Sequence, residues 1–269
     1  MGRSAKKVDI GTGLTLSYAV QGRGDPIVIF LPGLTDSWRS YEPVLDRLPV
    51  GITAYSVSAR GHGDSSKPET GYGTEEFASD VVAFMDSLGI GRAFIVGHSS
   101  ASLIARRVAI QEPDRAAGVV LIGSPTTLQG NAVAEAFLAT ALSDLDDPID
   151  SEFAKDFAVG TFTKPLPAAF IETVVEEMMK VPARVWREAF ARVFREDDTR
   201  ELSRIGCPAL LVWGDQDSLV GRDAQDFLLD AMAGARLSVF EGVGHSPHWE
   251  DPARFAAELT GFLLAADTG

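Results

Sequence analysis

Four short runs, Ile27–Leu31, Ala93–Val96, Val119–Ile122 and Ala209–Trp213, are apolar at successive positions rather than at alternate ones. Side chains on a strand point to opposite faces at successive residues, so a run with no polar face belongs to a sheet covered on both sides. Sheets of that kind are parallel, with right-handed helical crossovers. The rest of the chain agrees. Strands are expected near 14–20, 27–31, 52–58, 93–97, 118–123, 209–213 and 236–240, and helices over 37–48, 74–88, 100–111, 222–233 and 251–265. Thr74 followed by Glu75 and Glu76 suits a helix start, and Gly89 a stop. The expected fold class is α/β, a doubly wound, mostly parallel sheet.

From about Thr126 to Arg204 this alternation lapses. Ala132–Leu142, Phe153–Val159, Ala168–Lys180 and Ala183–Phe194 each carry helical periodicity, and no convincing strand separates them. The chain therefore divides into a core of residues 1–125 and 205–269 and a helical insertion over 126–204. At 269 residues and 45% hydrophobic composition it can bury a sizeable core.

Composition narrows the partners. A formal net charge of −14 repels nucleic acid and anionic membranes, which leaves a small, neutral or apolar molecule as the expected substrate. A monomer or homodimer is expected. No run of about 18 apolar residues is present to span a bilayer, and Val8-Asp9-Ile10 and Leu14–Tyr18 alternate like strands rather than forming a signal core. The single cysteine, Cys207, cannot close an internal disulfide, which fits a cytoplasmic protein. Gly11-Thr12-Gly13 and Gly22-Arg23-Gly24 lack the third glycine and helix of a dinucleotide loop, so no cofactor is expected. His245 and His248 have no third ligand at suitable spacing, so no metal is expected either.

The chemistry concentrates at Gly97-His98-Ser99-Ser100-Ala101, between the run ending at Val96 and a helical stretch. A residue at so sharp a strand-to-helix turn is held in a strained conformation, and small residues two before and two after it let strand and helix approach. Gly97 and Ala101 meet that need. The same turn aims the Ser100 N–H and the positive end of the helix at the place where an acyl oxygen would become negative. Ser99 is thus a candidate nucleophile. A hydroxyl needs a base, and the base an orienting carboxylate. Asp215 and Asp217 follow the strand 209–213, and His245 and His248 lie in the loop after the strand 237–240, giving the order serine, acid, histidine. Loops at the carboxyl ends of parallel strands share one crevice, so the three can meet.

With Ile27–Leu34, Arg60-Gly61-His62-Gly63-Asp64-Ser65, the Ser99 elbow, Trp213–Asp217, and Gly244-His245 through Trp249–Pro252, the chain resembles the α/β-hydrolase superfamily. The resemblance covers about Ile27 to Phe262. It implies Ser99 as nucleophile, Asp217 as acid, His245 as general base and acid, and the N–H groups of Leu34 and Ser100 as oxyanion hole. Asp215 is then a turn former, and His62 and His98 are structural. It also implies that 126–204 forms a helical cap, with Phe137, Phe162, Phe170, Met178 and Trp186 as candidate pocket walls.

Three positions depart from the family pattern. Pro32-Gly33 stands where many relatives have His-Gly, Ala101 where most have glycine, and Ser100 where a bulky apolar residue is usual. A serine nucleophile argues against the haloalkane dehalogenase and epoxide hydrolase branches, whose nucleophile is an aspartate. The expected activity is hydrolysis of a small, apolar carboxylic ester or lactone. Alternatives are a cofactor-free perhydrolase or haloperoxidase, a carbon–carbon bond hydrolase with the same triad, and a ligand-sensing signalling protein with a slow triad.

Overall fold

The computed structural model describes residues 5–267. Its strands are β1 (Lys6–Asp9), β2 (Thr15–Gln21), β3 (Ile27–Leu31), β4 (Thr53–Val57), β5 (Ala93–His98), β6 (Ala116–Ile122), β7 (Ala209–Gly214) and β8 (Arg236–Phe240). They form one sheet in the order β1-β2-β4-β3-β5-β6-β7-β8. The β1–β2 and β2–β4 pairings are antiparallel and all others parallel.

Successive residues of the apolar runs enter opposite cores. Ile29, Leu31, Ile95, Val119, Leu121 and Leu211 face one cluster, while Val28, Phe30, Phe94, Val96, Val120, Ile122, Leu210 and Val212 face the other. The first is covered by α2 (Thr74–Ser87), α3 (Ser100–Gln111) and α8 (Arg222–Ala231) through Phe77, Phe84, Leu103 and Leu228. The second is covered by α1 (Glu42–Leu45) and α10 (Pro252–Asp267) through Leu45, Phe255 and Phe262.

Helix α2 ends as its sequence suggests. Gly89 takes φ 67°, Ile90 N–H donates to Met85 O at 2.8 Å, and Gly89 N–H to Asp86 O at 3.1 Å. This closes the terminal carbonyls in a left-handed turn. Its amino end differs in detail, because Gly73 occupies the cap without a side-chain bond and Glu75 and Glu76 sit in the first turn. The segment expected as one helix over 37–48 is a 3₁₀ turn, Trp38–Tyr41, followed by α1. Pro43 lies in the first turn of α1, where its missing N–H does no harm, whereas inside a longer helix it would remove a bond.

Between β6 and β7 lie α4 (Ala132–Ala139), α5 (Ser151–Val159), α6 (Ala168–Met179) and α7 (Ala183–Val193), with no strand among the described residues. Rings of α5 and α7 pack together: Phe157 of α5 meets Trp186 and Phe190 of α7 edge-on at 5.1 and 5.8 Å, and those two rings stack on each other along α7 with centroids 5.8 Å apart. Arg106 of α3 fastens both ends of this helical segment. Its guanidinium pairs with Asp198 at 2.7 and 3.0 Å, and also donates to Pro125 O at 2.8 Å and Thr126 O at 2.9 Å. Both side chains of the pair are fully buried. Among the described residues no helix is long and apolar enough to cross a membrane.

Candidate active site

Ser99 stands between β5 and α3 with φ 54° and ψ −124°. Its N–H donates to Ile122 O of β6 at 2.7 Å, and its own carbonyl accepts from Ser102 N–H at 2.9 Å, so the turn is pinned on both sides. A methyl group at Gly97 would overlap the Ala101 carbonyl and lie 2.6 Å from its carbon. That contact explains the glycine: β5 and α3 pass too closely for any side chain there.

Asp217 is held by the loop that leaves β7. Its Oδ1 accepts from Leu219 N–H at 2.9 Å and Val220 N–H at 3.0 Å, and the Trp213 indole closes the loop by donating to Val220 O at 2.8 Å. The other oxygen, Oδ2, accepts from His245 Nδ1 at 2.7 Å, with both side chains almost wholly buried. A proton fixed on Nδ1 leaves the Nε2 lone pair of His245 free to act as a base. Asp215, by contrast, accepts from Gly242 N–H at 2.6 Å and ties the ends of β7 and β8 together.

Three further groups position His245: Gly123, which the sequence did not single out, Glu250, which stands there only as part of a motif, and His98, which stands there as structural without a partner. Gly123, at φ 53°, has no side chain where a methyl would lie 2.8 Å from His245 Nδ1 and 2.9 Å from its Cε1. Glu250 accepts from Gly244 N–H at 2.9 Å and from Thr163 and Lys164 N–H at 2.9 and 2.8 Å, clamping the histidine loop to the turn before α6. His98 Nε2 donates to His245 O at 3.1 Å. A glycine directly after an apolar run is a visible hint of close approach; the reach of Glu250 across 87 residues has no local signal.

The remaining histidines are neutral. Burial pushes His98 and His248 well below the ordinary imidazole value, helped by the neighbouring histidines, and burial pushes His62 down to about 4. His62 Nδ1 donates to Arg60 O at 2.8 Å. Among the described residues, no three potential ligands gather as a metal ion requires.

Ser99 and His245 line one cavity of about 560 Å³, together with Leu34 and Ser100. Of the candidate wall residues, Phe137 and Met178 line it, with Phe157, Phe190, Phe194 and Trp249 beside them. Phe162, Phe170 and Trp186 do not line it. Trp186 is fully buried behind Phe190, and Phe170 stacks edge-on against the far side of the wall at Trp249, 5.6 Å away. Asp36 and Asp156 are the acidic side chains of the lining, and no lysine or arginine is found in it among the described residues. Burial raises the Asp36 carboxyl well above the ordinary carboxylate range. The two candidate oxyanion donors are differently engaged. Ser100 N–H opens α3, while Leu34 N–H donates to the Ser100 hydroxyl at 3.1 Å.

The sequence profile of the Alpha/beta hydrolase family matches residues 28–258. The chain is 37% identical over 118 residues to a 2-(acetamidomethylene)succinate hydrolase of Mesorhizobium japonicum, a match spanning 44% of this chain and 42% of that protein. It is 28% identical over 277 residues, 95% of this chain and 93% of the other, to a 2-hydroxy-6-oxononadienedioate/2-hydroxy-6-oxononatrienedioate hydrolase of Burkholderia vietnamiensis. The crystal structure of a bromoperoxidase from Bacillus anthracis shares the fold with a TM-score of 0.87 at 22% identity, covering 97% of this chain and 100% of that one.

Proposed function

The chain belongs to the alpha/beta hydrolase family, and from that premise we propose that it is a serine hydrolase of small, apolar carboxylic esters or lactones, working through an acyl-enzyme on Ser99. One observation carries the reading: Ser99 and His245 face the same cavity, and Asp217 holds His245 by Nδ1. His245 Nε2 takes the Ser99 proton as Oγ bonds to the substrate carbonyl carbon, and the π electrons move onto the carbonyl oxygen. Collapse of that adduct breaks the carbon–oxygen bond, and the alkoxide leaves with the proton from His245. Water then repeats the sequence against the acyl-enzyme, giving the acid and free Ser99. Residues 126–204 serve as a cap that roofs the cavity and excludes bulk water.

The lining supports the substrate class. A carboxylate brought into an apolar cavity without a cation loses several kcal/mol of hydration, on the order of the penalty for a buried unpaired ion. The named substrates of the two relatives are a succinate and a dioate; this cavity offers such groups no lysine or arginine among its described lining residues. The test pairs 4-nitrophenyl esters of one chain length, with and without a terminal carboxylate, with fluorophosphonate labelling of the wild type and of Ser99→Ala. Hydrolysis of the neutral ester and labelling at Ser99 are expected, both abolished in Ser99→Ala. Labelling that persists in that variant overturns the nucleophile, and faster turnover of the carboxylated ester overturns the substrate class.

A further inference from the structure

The Leu34 amide, the donor that the oxyanion loop should present to a substrate, is already spent. It donates to Ser100 Oγ at 3.1 Å across 66 residues of sequence, in a buried contact. The loop is built to hold it there. Asp36 N–H donates to Gly33 O at 3.1 Å, and Thr35 takes φ 77°, a conformation that a β-branched residue adopts only under compulsion. Ser100 opens α3 beside Ser99, is only 6% exposed, and lines the cavity with Ser99, Leu34 and His245.

A hydroxyl has one proton to give and two lone pairs to receive. Ser100 Oγ receives from Leu34, and among the described residues it makes no other hydrogen bond. Its proton therefore remains available to an oxygen that arrives in the cavity. Accepting one bond polarises the hydroxyl and makes it a better donor. We propose that Ser100 is itself a catalytic residue: its hydroxyl, polarised by the bond it accepts from the Leu34 N–H, donates to the oxyanion alongside the Ser100 backbone N–H. The oxyanion hole is then relayed through a side chain, and the serine after the nucleophile, an unusual residue at that place in this family, becomes its working part. The proposal rests on the Ser99 nucleophile argued above.

The test compares Ser100→Ala, Ser100→Cys and Ser100→Thr in kcat, KM and inhibition by a trifluoromethyl ketone, which carries the tetrahedral oxyanion. Removing one oxyanion donor typically costs about 10²–10³ in rate, and the Leu34 N–H freed by the alanine recovers part of that. The expected result for Ser100→Ala is a fall in kcat of about tenfold to a hundredfold, KM within about twofold, and a matching loss of trifluoromethyl ketone affinity. Ser100→Cys keeps the shape with a weak donor and should fall with it. Ser100→Thr keeps the hydroxyl and should stay within a few-fold of the wild type. Melting curves and stoichiometric fluorophosphonate titration of Ser99 establish that each variant is folded and has its nucleophile. Alanine and cysteine variants with kcat at or above the wild-type value overturn the relay, while labelling of wild type away from Ser99 overturns the nucleophile instead.

Discussion

Backbone strain in this protein is concentrated at single residues beside the cavity. Among the described residues, Thr35 and Ser99 are the non-glycine positions with positive φ. Each such residue costs roughly 1–3 kcal/mol and persists only where its surroundings compel it. Ser99 is compelled by the two backbone bonds that pin it to β6 and α3, and Thr35 by the turn that presents the Leu34 amide. Glycine serves the opposite purpose, making room rather than holding strain. At Gly123 a methyl would contact the His245 ring on the edge that bonds to Asp217. Gly123→Ala should therefore cost more than about 1 kcal/mol in stability, from its positive φ and from the overlap with the His245 ring. Its effect on turnover should be separate and large, because the ring must shift away from Asp217 and a displaced base costs about a hundredfold. Measuring kcat together with the melting temperature separates the two; a variant that melts lower but turns over at the wild-type rate would show that the close contact is irrelevant to chemistry.

At the scale of elements, α3 has two duties. Its amino end carries Ser99 and Ser100, and one face of its middle sends Arg106 to both ends of the helical segment, at Pro125, Thr126 and Asp198. The pair is fully buried, so its value lies in being complete. Removing one partner of a buried pair strands the other and costs about 3–5 kcal/mol, whereas replacing both by apolar groups costs much less. Asp198→Ala should accordingly lower the unfolding free energy by about that amount, and Arg106→Met with Asp198→Leu should recover a good part of it. Denaturant unfolding measures this, and equal losses in the single and double variants would refute it. This anchor is also where reading from sequence stops. The apolar runs mark the inner parallel strands β3, β5, β6 and β7, which are covered on both faces, whereas β4 (TAYSV) and the edge strand β8 (RLSVF) mix polar residues in and carry a weaker signal. The elbow was visible because its glycine and alanine sit at fixed spacing around Ser99. Strand β1 was seen only as an alternation at Val8-Asp9-Ile10, since an exposed edge strand with Lys6 and Lys7 carries little hydrophobic signal. Arg106, Glu250 and the bond from Leu34 to Ser100 join residues 92, 87 and 66 positions apart, and no local pattern encodes such distances.

For the whole molecule, the acid side of the stability profile is a contest between its net charge and its buried titratable groups. The chain has 38 acidic and 24 basic side chains, so lowering the pH towards neutrality of charge relieves self-repulsion. Asp36 acts in the same direction: burial raises its carboxyl, so the folded state holds its proton at pH values where the unfolded chain has lost it. His62, His98 and His248 act in the other. Burial lowers each of them, so between the ordinary imidazole value and the lowered one the unfolded chain binds a proton that the folded chain refuses. Their contribution is complete above pH 6.5 and is lost as the pH falls. For His62, displaced from 6.5 to about 4, the loss amounts to about 3 kcal/mol and is complete near pH 4. His62 is the one to test, because it lies outside the cavity lining and its side-chain bond from Nδ1 to Arg60 O can be kept by the amide nitrogen of an asparagine. The stability difference between wild type and His62→Asn should shift steadily towards the variant from pH 7 to pH 4, in melting curves at fixed ionic strength. Parallel profiles across that range would mean that the imidazole takes up its proton without leaving the fold, and that the acid limb is set by the other groups.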